Sequence, residues 1–270
     1  MVLFLVAVAG VLLNTSAVDA EVLRIGGTGS GLGTVRILAS AFEKKHPHLE
    51  VQVLPSIGSS GAINAIAQGA LDIGLVSRPL KREELLFGLM VTNIYKTPFV
   101  LATERRTPAA NLSHEDLARI YKGETKLWPN GERIRIVLRP AADADNVIAR
   151  GISSKMSDAI DKALLREGMV VASTDQECIE LIEMTPGAIG FSTLAQIMAE
   201  GRTAKILSYN GVFPSRRSLM NGTYPLSLEL AFVTKPDRSF AVRSFIDFVH
   251  SPKGMEILET LGSIPFKDKQ

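Results

Sequence analysis

Two periods of apolar positions alternate along the first quarter of the chain. Val22-Leu23-Arg24-Ile25 is a short β-prone run that stops at Gly26-Gly27-Thr28-Gly29-Ser30-Gly31. Val35, Leu38, Ala39 and Phe42 then fall at i, i+3, i+4 and i+7, which predicts a helix with one apolar face. Pro47 disfavours helix at the residue before it, so this helix ends near His46. Val51 and Val53 alternate with polar neighbours and predict a strand. The small-residue segment Pro55-Ser56-Ile57-Gly58-Ser59-Ser60-Gly61 follows, and Ile63, Ile66 and Ala67 mark a short helix ending near Gly69. Leu71 to Val76 is apolar nearly throughout, as in a strand buried on both faces.

Strand, helix, strand, helix and strand in succession predict an α/β fold with a parallel sheet and right-handed crossovers. Ligands of such sheets bind beyond the carboxyl ends of the strands. Here all three strands end in small polar loops: Thr28 to Ser30, Ser56 to Ser60, and Ser77-Arg78.

The second half continues in the same style. Ser113 with Asp116 forms a capping box, and Gly123 closes that helix. Ile134 to Leu138 is a strand ending at Arg139. Ser153 to Arg166 and Asp175 to Met184 are helical by pattern, and Ala188 to Phe191 is a short strand leading to Ser192-Thr193. Leu228 to Val233 is a strand, and Phe240 to Val249 and Pro252 to Leu261 are helices, the latter with Ser251 as N-cap and Pro252 in its first position.

The N-terminus stands apart. Val2 to Leu13 is an almost unbroken apolar run, too short for a bilayer span of roughly 20 residues. Small residues ending at Ala20 suit removal of residues 1–20 as a signal peptide before Glu21, although no Lys or Arg precedes the run. The alternative is a buried strand or short core helix. One cysteine, Cys178, allows no internal disulfide and sits in an apolar-polar stretch as a small buried residue does. Export without disulfides points to the periplasm.

Composition adds little beyond exclusions. The chain has 270 residues, 46% hydrophobic and 21% charged, with a formal charge of +2. That balance is globular and gives no basic field for nucleic acid. Residues 1–20 carry Asp19 and no base, so the remainder carries +3.

The candidate chemistry is anion binding. A loop running from a strand into a helix offers unpaired N–H groups and the positive end of the helix dipole. Small residues let an oxyanion approach the backbone, hydroxyls add neutral donors, and Arg78 offers a cation with a planar fork. A lone loop of this kind is usually a plain turn. Three of them ending successive parallel strands would be brought together by the fold. The glycine loop does not fit dinucleotide spacing: the third position is Thr34 or Leu32, according to the pair chosen, and no Gly-Lys-Ser/Thr follows. His46, His48, His114 and His250 form no i, i+4 metal pair with a nearby acid and read as solvated surface residues. No Gly-x-Ser-x-Gly elbow is present.

These pieces together resemble the substrate-binding proteins of bacterial phosphate ABC transporters. The resemblance is carried by Gly26-Gly27-Thr28-Gly29-Ser30-Gly31, Ile57-Gly58-Ser59-Ser60-Gly61-Ala62-Ile63, Leu71-Asp72-Ile73-Gly74 and Ser77-Arg78-Pro79-Leu80. It continues through Leu112-Ser113, Leu117 to Gly123, Trp128, Pro186 to Phe191, Tyr224-Pro225-Leu226, Phe245 to Phe248 and Ser251 to Gly254. It implies a two-lobed periplasmic-binding-protein fold, each lobe a mixed sheet flanked by helices and joined by two hinge strands. Lobe one would hold residues 21–102 and 207–270, and lobe two residues 103–206. The implied activity is binding, not catalysis, with no cofactor. A monomer would clamp an oxyanion, phosphate first, between the lobes and deliver it to a membrane ABC permease. The implied ligand-binding residues are Thr28, Gly29, Ser30, Gly31, Leu32, Ser59, Ser60, Gly61, Ser77, Arg78, Arg139 and Asp143.

The chain departs from the family pattern twice. Ser77 stands where the family often has an acid at the end of the third strand. The second-lobe motif Arg-x-x-Gly-Ser-Gly-Thr becomes Arg139-Pro140-Ala141-Ala142-Asp143-Ala144-Asp145, so acids replace both hydroxyls. An ionised carboxylate beside a dianion is repulsive in a dry cleft. Either an acid accepts the proton of a protonated oxyanion, or an acid caps the following helix, or the ligand is another anion such as tungstate, molybdate, sulfate or a small carboxylate. Asp145 is expected as the cap, and Asp143 is left open. A secreted phosphoester hydrolase on the same fold is a further alternative.

Overall fold

The computed structural model describes residues 21–267. The apolar run of residues 2–13 and the signal ending at Ala20 lie outside the described residues.

The first part follows the pattern of its apolar positions: β1 (Glu21–Gly27), α1 (Gly29–Glu43), β2 (Leu49–Val53), α2 (Gly58–Gln68) and β3 (Ile73–Val76). β1 pairs in parallel with both β2 and β3, so the two glycine- and serine-rich loops and the Ser77 loop emerge at one edge. Both helices start earlier than their first apolar residues suggest, because the small residues of each loop form the first helical turn. A short α3 (Arg82–Leu85) leads into β4 (Met90–Thr103), which no alternation in the sequence singles out.

The middle of the chain builds β5 (Asn111–Leu112), α4 (His114–Lys122), β6 (Arg135–Leu138), α5 (Ala144–Arg150), α6 (Ser154–Leu164), β7 (Val170–Val171), α7 (Asp175–Met184), β8 (Ala188–Thr193), α8 (Leu194–Ala199) and β9 (Lys205–Ile206). The caps of α4 are the expected ones: Asp116 N donates to Ser113 Oγ at 3.1 Å, and Gly123 ends the helix at φ 79°. The chain then returns through β10 (Ser208–Tyr209), α9 (Arg216–Met220), β11 (Ser227–Thr234), α10 (Phe240–His250), α11 (Pro252–Thr260) and β12 (Ile264–Pro265).

One sheet runs through both lobes in the order β2-β1-β3-β11-β4-β8-β6-β7. It is mixed: β11 lies antiparallel to β3 and β4, and β6 lies parallel to β7 and β8. β4 joins the halves. Up to Pro98 it pairs with β11, and from Phe99 it pairs with β8, with the change falling between adjacent residues. The chain returns beside it, with Ala102 opposite Ile206 and Leu207 N donating to Leu101 O at 3.0 Å. On one side the apolar interior centres on Phe42, edge-on to Phe245 at 5.2 Å. On the other, Phe99 stacks on Phe191 at 4.7 Å.

Several residues that carry the resemblance are structural. Trp128 Nε1 donates to Gly187 O at 3.0 Å, and Tyr224 donates to Phe99 O at 2.8 Å. Cys178 is buried, and burial pushes its thiol pKa well up, which makes it inert.

Candidate functional site

The loop after β1 needs glycine at one point. Gly27 passes so close to β3 that an added Cβ would sit 2.0 Å from Leu75 O. That approach lets Thr28 N donate to Leu75 O at 2.9 Å and fixes the start of α1 against the end of β3. Thr28 is the N-cap of α1, but its side chain caps nothing; its Oγ1 lies 3.1 Å from Ser30 Oγ instead.

A chain of hydroxyls extends from there. Ser77 Oγ donates to Thr28 Oγ1 at 3.4 Å, Ser59 Oγ lies 3.4 Å from Ser77 Oγ, and Ser77 N donates to Ser59 Oγ at 3.1 Å. Thr28, Ser30, Ser59 and Ser77, expected as ligands from three separate loops, therefore form one cluster at the N-termini of α1 and α2. Gly29 and Gly31 lie in the first turn of α1 and can serve only through their backbone. Leu32 sends its side chain into the core, so it too can offer only its N–H. Gly61 is covered by Ile57, whose Cβ would lie 3.1 Å from an added Cβ.

Arg78 does not reach this cluster as a free cation. Its Nη1 donates to Glu84 Oε2 at 2.7 Å and its Nη2 to Glu84 Oε1 at 2.6 Å, while Nη2 also donates to exposed Ser60 at 2.7 Å. The guanidinium is engaged on α3, and Glu84 holds its charge. The sequence suggests a cation here because it does not show that the acid six residues on folds back.

Arg139 supplies the cation from the other lobe. It leaves the end of β6 and is 5% exposed. Its Nη1 donates to Ala172 O at 2.9 Å and its Nη2 to Asp143 Oδ2 at 2.8 Å, while Nε has no partner among the described residues. Asn146 Nδ2 donates to the carbonyls of Arg139 and Pro140, each at 2.8 Å, and so pins the loop. The cap of α5 is Asp143, not Asp145: Asp143 Oδ1 accepts from Asp145 N at 3.0 Å. Asp143 has the extended backbone of a cap, with α5 starting at Ala144, so Asp145 falls inside the first turn, where its side chain turns inward and is 5% exposed.

A third acid completes the wall. Asp175 opens α7 and is buried, with Oδ2 3.6 Å from Arg139 Nη2. Burial, then the charges of Asp175 and Asp143, raise the Asp145 pKa well above the usual carboxylate range against the pull of Arg139. Burial also raises the Asp175 pKa, with Arg139 opposing. Burial disfavours the Arg139 charge, but Asp175, Asp143 and Asp145 together outweigh it and raise its pKa. This wall is thus one fixed cation among three acids, two of which have pKa values raised by their burial.

The two walls touch. Gln176 Nε2 donates to Gly29 O at 2.9 Å, and Thr193 Oγ1 donates to Ser30 O at 3.5 Å. Asp175, Gln176, Asn146 and Thr193 are absent from the sequence-based site. The signal was there in Ser173-Thr174-Asp175-Gln176, another small polar loop entering a helix, but the two-residue strand before it, β7, is too short to register. A cavity of about 820 Å³ lies apart, among Lys122, Arg135 and Arg166, and includes none of these residues. No group of three or more His, Cys, Asp or Glu suited to a metal ion occurs among the described residues.

Two α/β lobes on one crossing strand, with the N-termini of α1 and α2 in one and Arg139 in the other, define the architecture of the two-lobed binding proteins. The family model described as PBP superfamily domain matches residues 14–253, and the chain belongs to that superfamily. Among curated relatives, the phosphate-binding protein PstS of Borreliella burgdorferi is 27% identical over 78% of this chain and 78% of its own length. That of Bacillus subtilis is 24% identical over 91% and 81%. A phosphate-bound putative phosphate ABC transporter substrate-binding protein from Clostridium perfringens shares the fold with a TM-score of 0.78 at 23% identity, over 92% of this chain and all of that one.

Proposed function

We propose that this chain is an exported phosphate receptor whose lobes, residues 21–102 with 207–270 and residues 103–206, close on the anion and present it to an ABC permease. The observation that carries this reading is the hydroxyl cluster Thr28–Ser30–Ser77–Ser59 at two helix N-termini, with Arg139 of the other lobe reaching the start of α1 through Asp175. Neutral donors and helix ends stabilise an oxyanion without requiring a full countercharge. The acids beside Arg139 favour an anion that still carries a proton, because its O–H can donate to a carboxylate. A fully ionised sulfate has no such hydrogen and meets repulsion. Arg78 acts at one remove, by holding Ser60. Binding proteins among the relatives support a receptor and not an enzyme. No described helix is long and apolar enough to cross a membrane, and residues 1–20 fit a cleaved export signal to the periplasm.

The altered Arg139-to-Asp145 motif favours a second reading, the same clamp with another oxyanion. Calorimetric titration of the chain from Glu21 with phosphate, sulfate, molybdate and tungstate separates the two. Saturable one-to-one binding of phosphate with sulfate silent supports the first reading. Silence toward phosphate with a response to another anion supports the second.

A further inference from the structure

α1 meets lobe two in an unusual way. It has no acidic residue in its own first turn, and its N-cap Thr28 makes no capping bond through its side chain. The positive end of a 15-residue helix is therefore uncompensated from within. The compensation comes from across the cleft. Asp175 Oδ2 lies so close to Gly29 that an added Cβ there would be 2.7 Å from it. The same oxygen is 3.6 Å from Arg139 Nη2. Asp175 is 7% exposed, so this carboxylate is sealed between the helix end and the guanidinium.

Those are the two partners that the clamp offers an oxyanion. The neighbouring side chain strengthens the contact: Gln176 Nε2 donates both to Gly29 O at 2.9 Å and to Glu200 Oε1 at 2.7 Å. Lobe two thus inserts the first turn of α7 against the first turn of α1, with an acid toward the N–H groups and an amide toward the carbonyl.

We infer that Asp175 is a tethered anion that occupies the ligand's position between α1 and Arg139, latches the lobes together, and must be displaced before an external oxyanion is bound. The inference rests on the oxyanion-clamp reading for its second half only. A latch that holds the competent site shut lowers apparent affinity by the fraction of molecules that are open. It also holds the receptor compact without ligand, in a hinge-closing fold whose two forms differ in dimensions. The effector of closure would then be partly internal, and the ligand would replace a contact instead of creating one.

The test uses the whole chain from Glu21, freed of bound anion by dialysis, as wild type and as Asp175→Ala. Asp175→Asn, which keeps the shape and removes the charge, stands in if the alanine variant fails to fold. Small-angle X-ray scattering without phosphate should give a larger radius of gyration for the variant than for the wild type. Calorimetry with inorganic phosphate should give affinity about tenfold tighter in the variant, equivalent to a wild-type open fraction of about one tenth. Equal dimensions overturn the latch. Unchanged or weaker phosphate binding by the variant overturns the competition and makes Asp175 at most a direct contact. If phosphate binds to neither protein while the dimensions change as expected, the latch stands and the phosphate reading fails.

Discussion

Arg78 and Glu84 form a two-pronged ion pair, Nη1 to Oε2 at 2.7 Å and Nη2 to Oε1 at 2.6 Å, and Glu84 Oε2 also accepts from Lys81 N at 2.7 Å. The pair anchors α3 under the Ser60 loop. It diverts from the cleft a cation that the sequence places beside it.

This pair sets an acid limit on stability. The Arg78 bond, against an opposing burial effect and with help from Lys81, pulls the Glu84 pKa down to about 2. A carboxylate with a depressed folded pKa contributes stability that is complete above its unfolded pKa and lost as pH falls through the folded one. For Glu84 that window runs from about 4.5 down to about 2. Glu84→Gln should flatten the fall in melting temperature over this range, measured by circular dichroism. An unaltered acid limb would show that other groups set it.

Arg78 and Arg139 should differ as alanine variants. Arg139→Ala removes the buried cation and leaves three acids facing the ligand, so phosphate affinity should fall more than about tenfold. Arg139→Lys should not restore it, because one ammonium cannot serve Ala172 O and Asp143 with the geometry of the planar fork. Arg78→Ala should cost about 2 kcal/mol of stability through Glu84, with a loss of affinity no greater than a few-fold. Calorimetry and thermal melts on the three variants decide this. An equal drop in affinity for both alanine variants would return Arg78 to the ligand shell.

The contrast marks what the chain discloses before folding. The strand-to-helix loops are legible because each carries its chemistry locally: Gly27 for close approach, Thr28 and Ser30 for hydroxyls, and apolar spacing for α1. Their convergence is legible through the parallel order of β1, β2 and β3. Side-chain pairing is not. Arg78 and Glu84 are six residues apart, but the turn that joins them depends on the Pro79–Lys81 backbone. Asp175 meets Gly29 across 146 positions of sequence. β4 is the hardest element to see, since it changes partners at Pro98 and Phe99 and so has no single buried face to alternate. Asp143 and Asp145 exchange roles for a similar reason: a two-residue shift in where α5 begins decides which acid caps and which is buried.

Asp145 predicts a pH dependence of opposite sign to that of Glu84. Its folded pKa is raised, by burial first and then by Asp175 and Asp143. A raised folded pKa gives stability that is complete below the unfolded value, near 4, and lost as pH rises through the folded one. Asp145→Asn, always neutral, should therefore melt higher than the wild type at pH 8 and close to it at pH 4. A variant less stable at both pH values would mean that the ionised carboxylate supports the fold.

Trp128→Phe tests whether the family-like residues outside the cleft act on binding. The indole N–H donates to Gly187 O from a buried position, so its loss should cost about 1–3 kcal/mol in chemical denaturation. Phosphate affinity should stay within error, because neither partner approaches the hydroxyl cluster or Arg139. A change in affinity without a change in stability would connect this strut to closure.

Asp143→Ser restores a hydroxyl at the position where relatives of this kind are expected to have one, and its consequences can be separated. Serine is as good an N-cap as aspartate, so α5 should keep its start and its stability within about 0.5 kcal/mol. What changes is Arg139 Nη2, which loses the acceptor now 2.8 Å away. With that charge released toward the cleft and one carboxylate removed, phosphate should bind more tightly and sulfate should begin to compete, because less of the wall would demand a protonated ligand. Competition calorimetry with sulfate at pH 7 measures both effects together. Tighter phosphate binding with sulfate still excluded would assign the discrimination to Asp145 and Asp175. Loss of phosphate binding would make Asp143 the acceptor of the ligand's proton, and its bond to Arg139 would then be a means of holding that carboxylate in place.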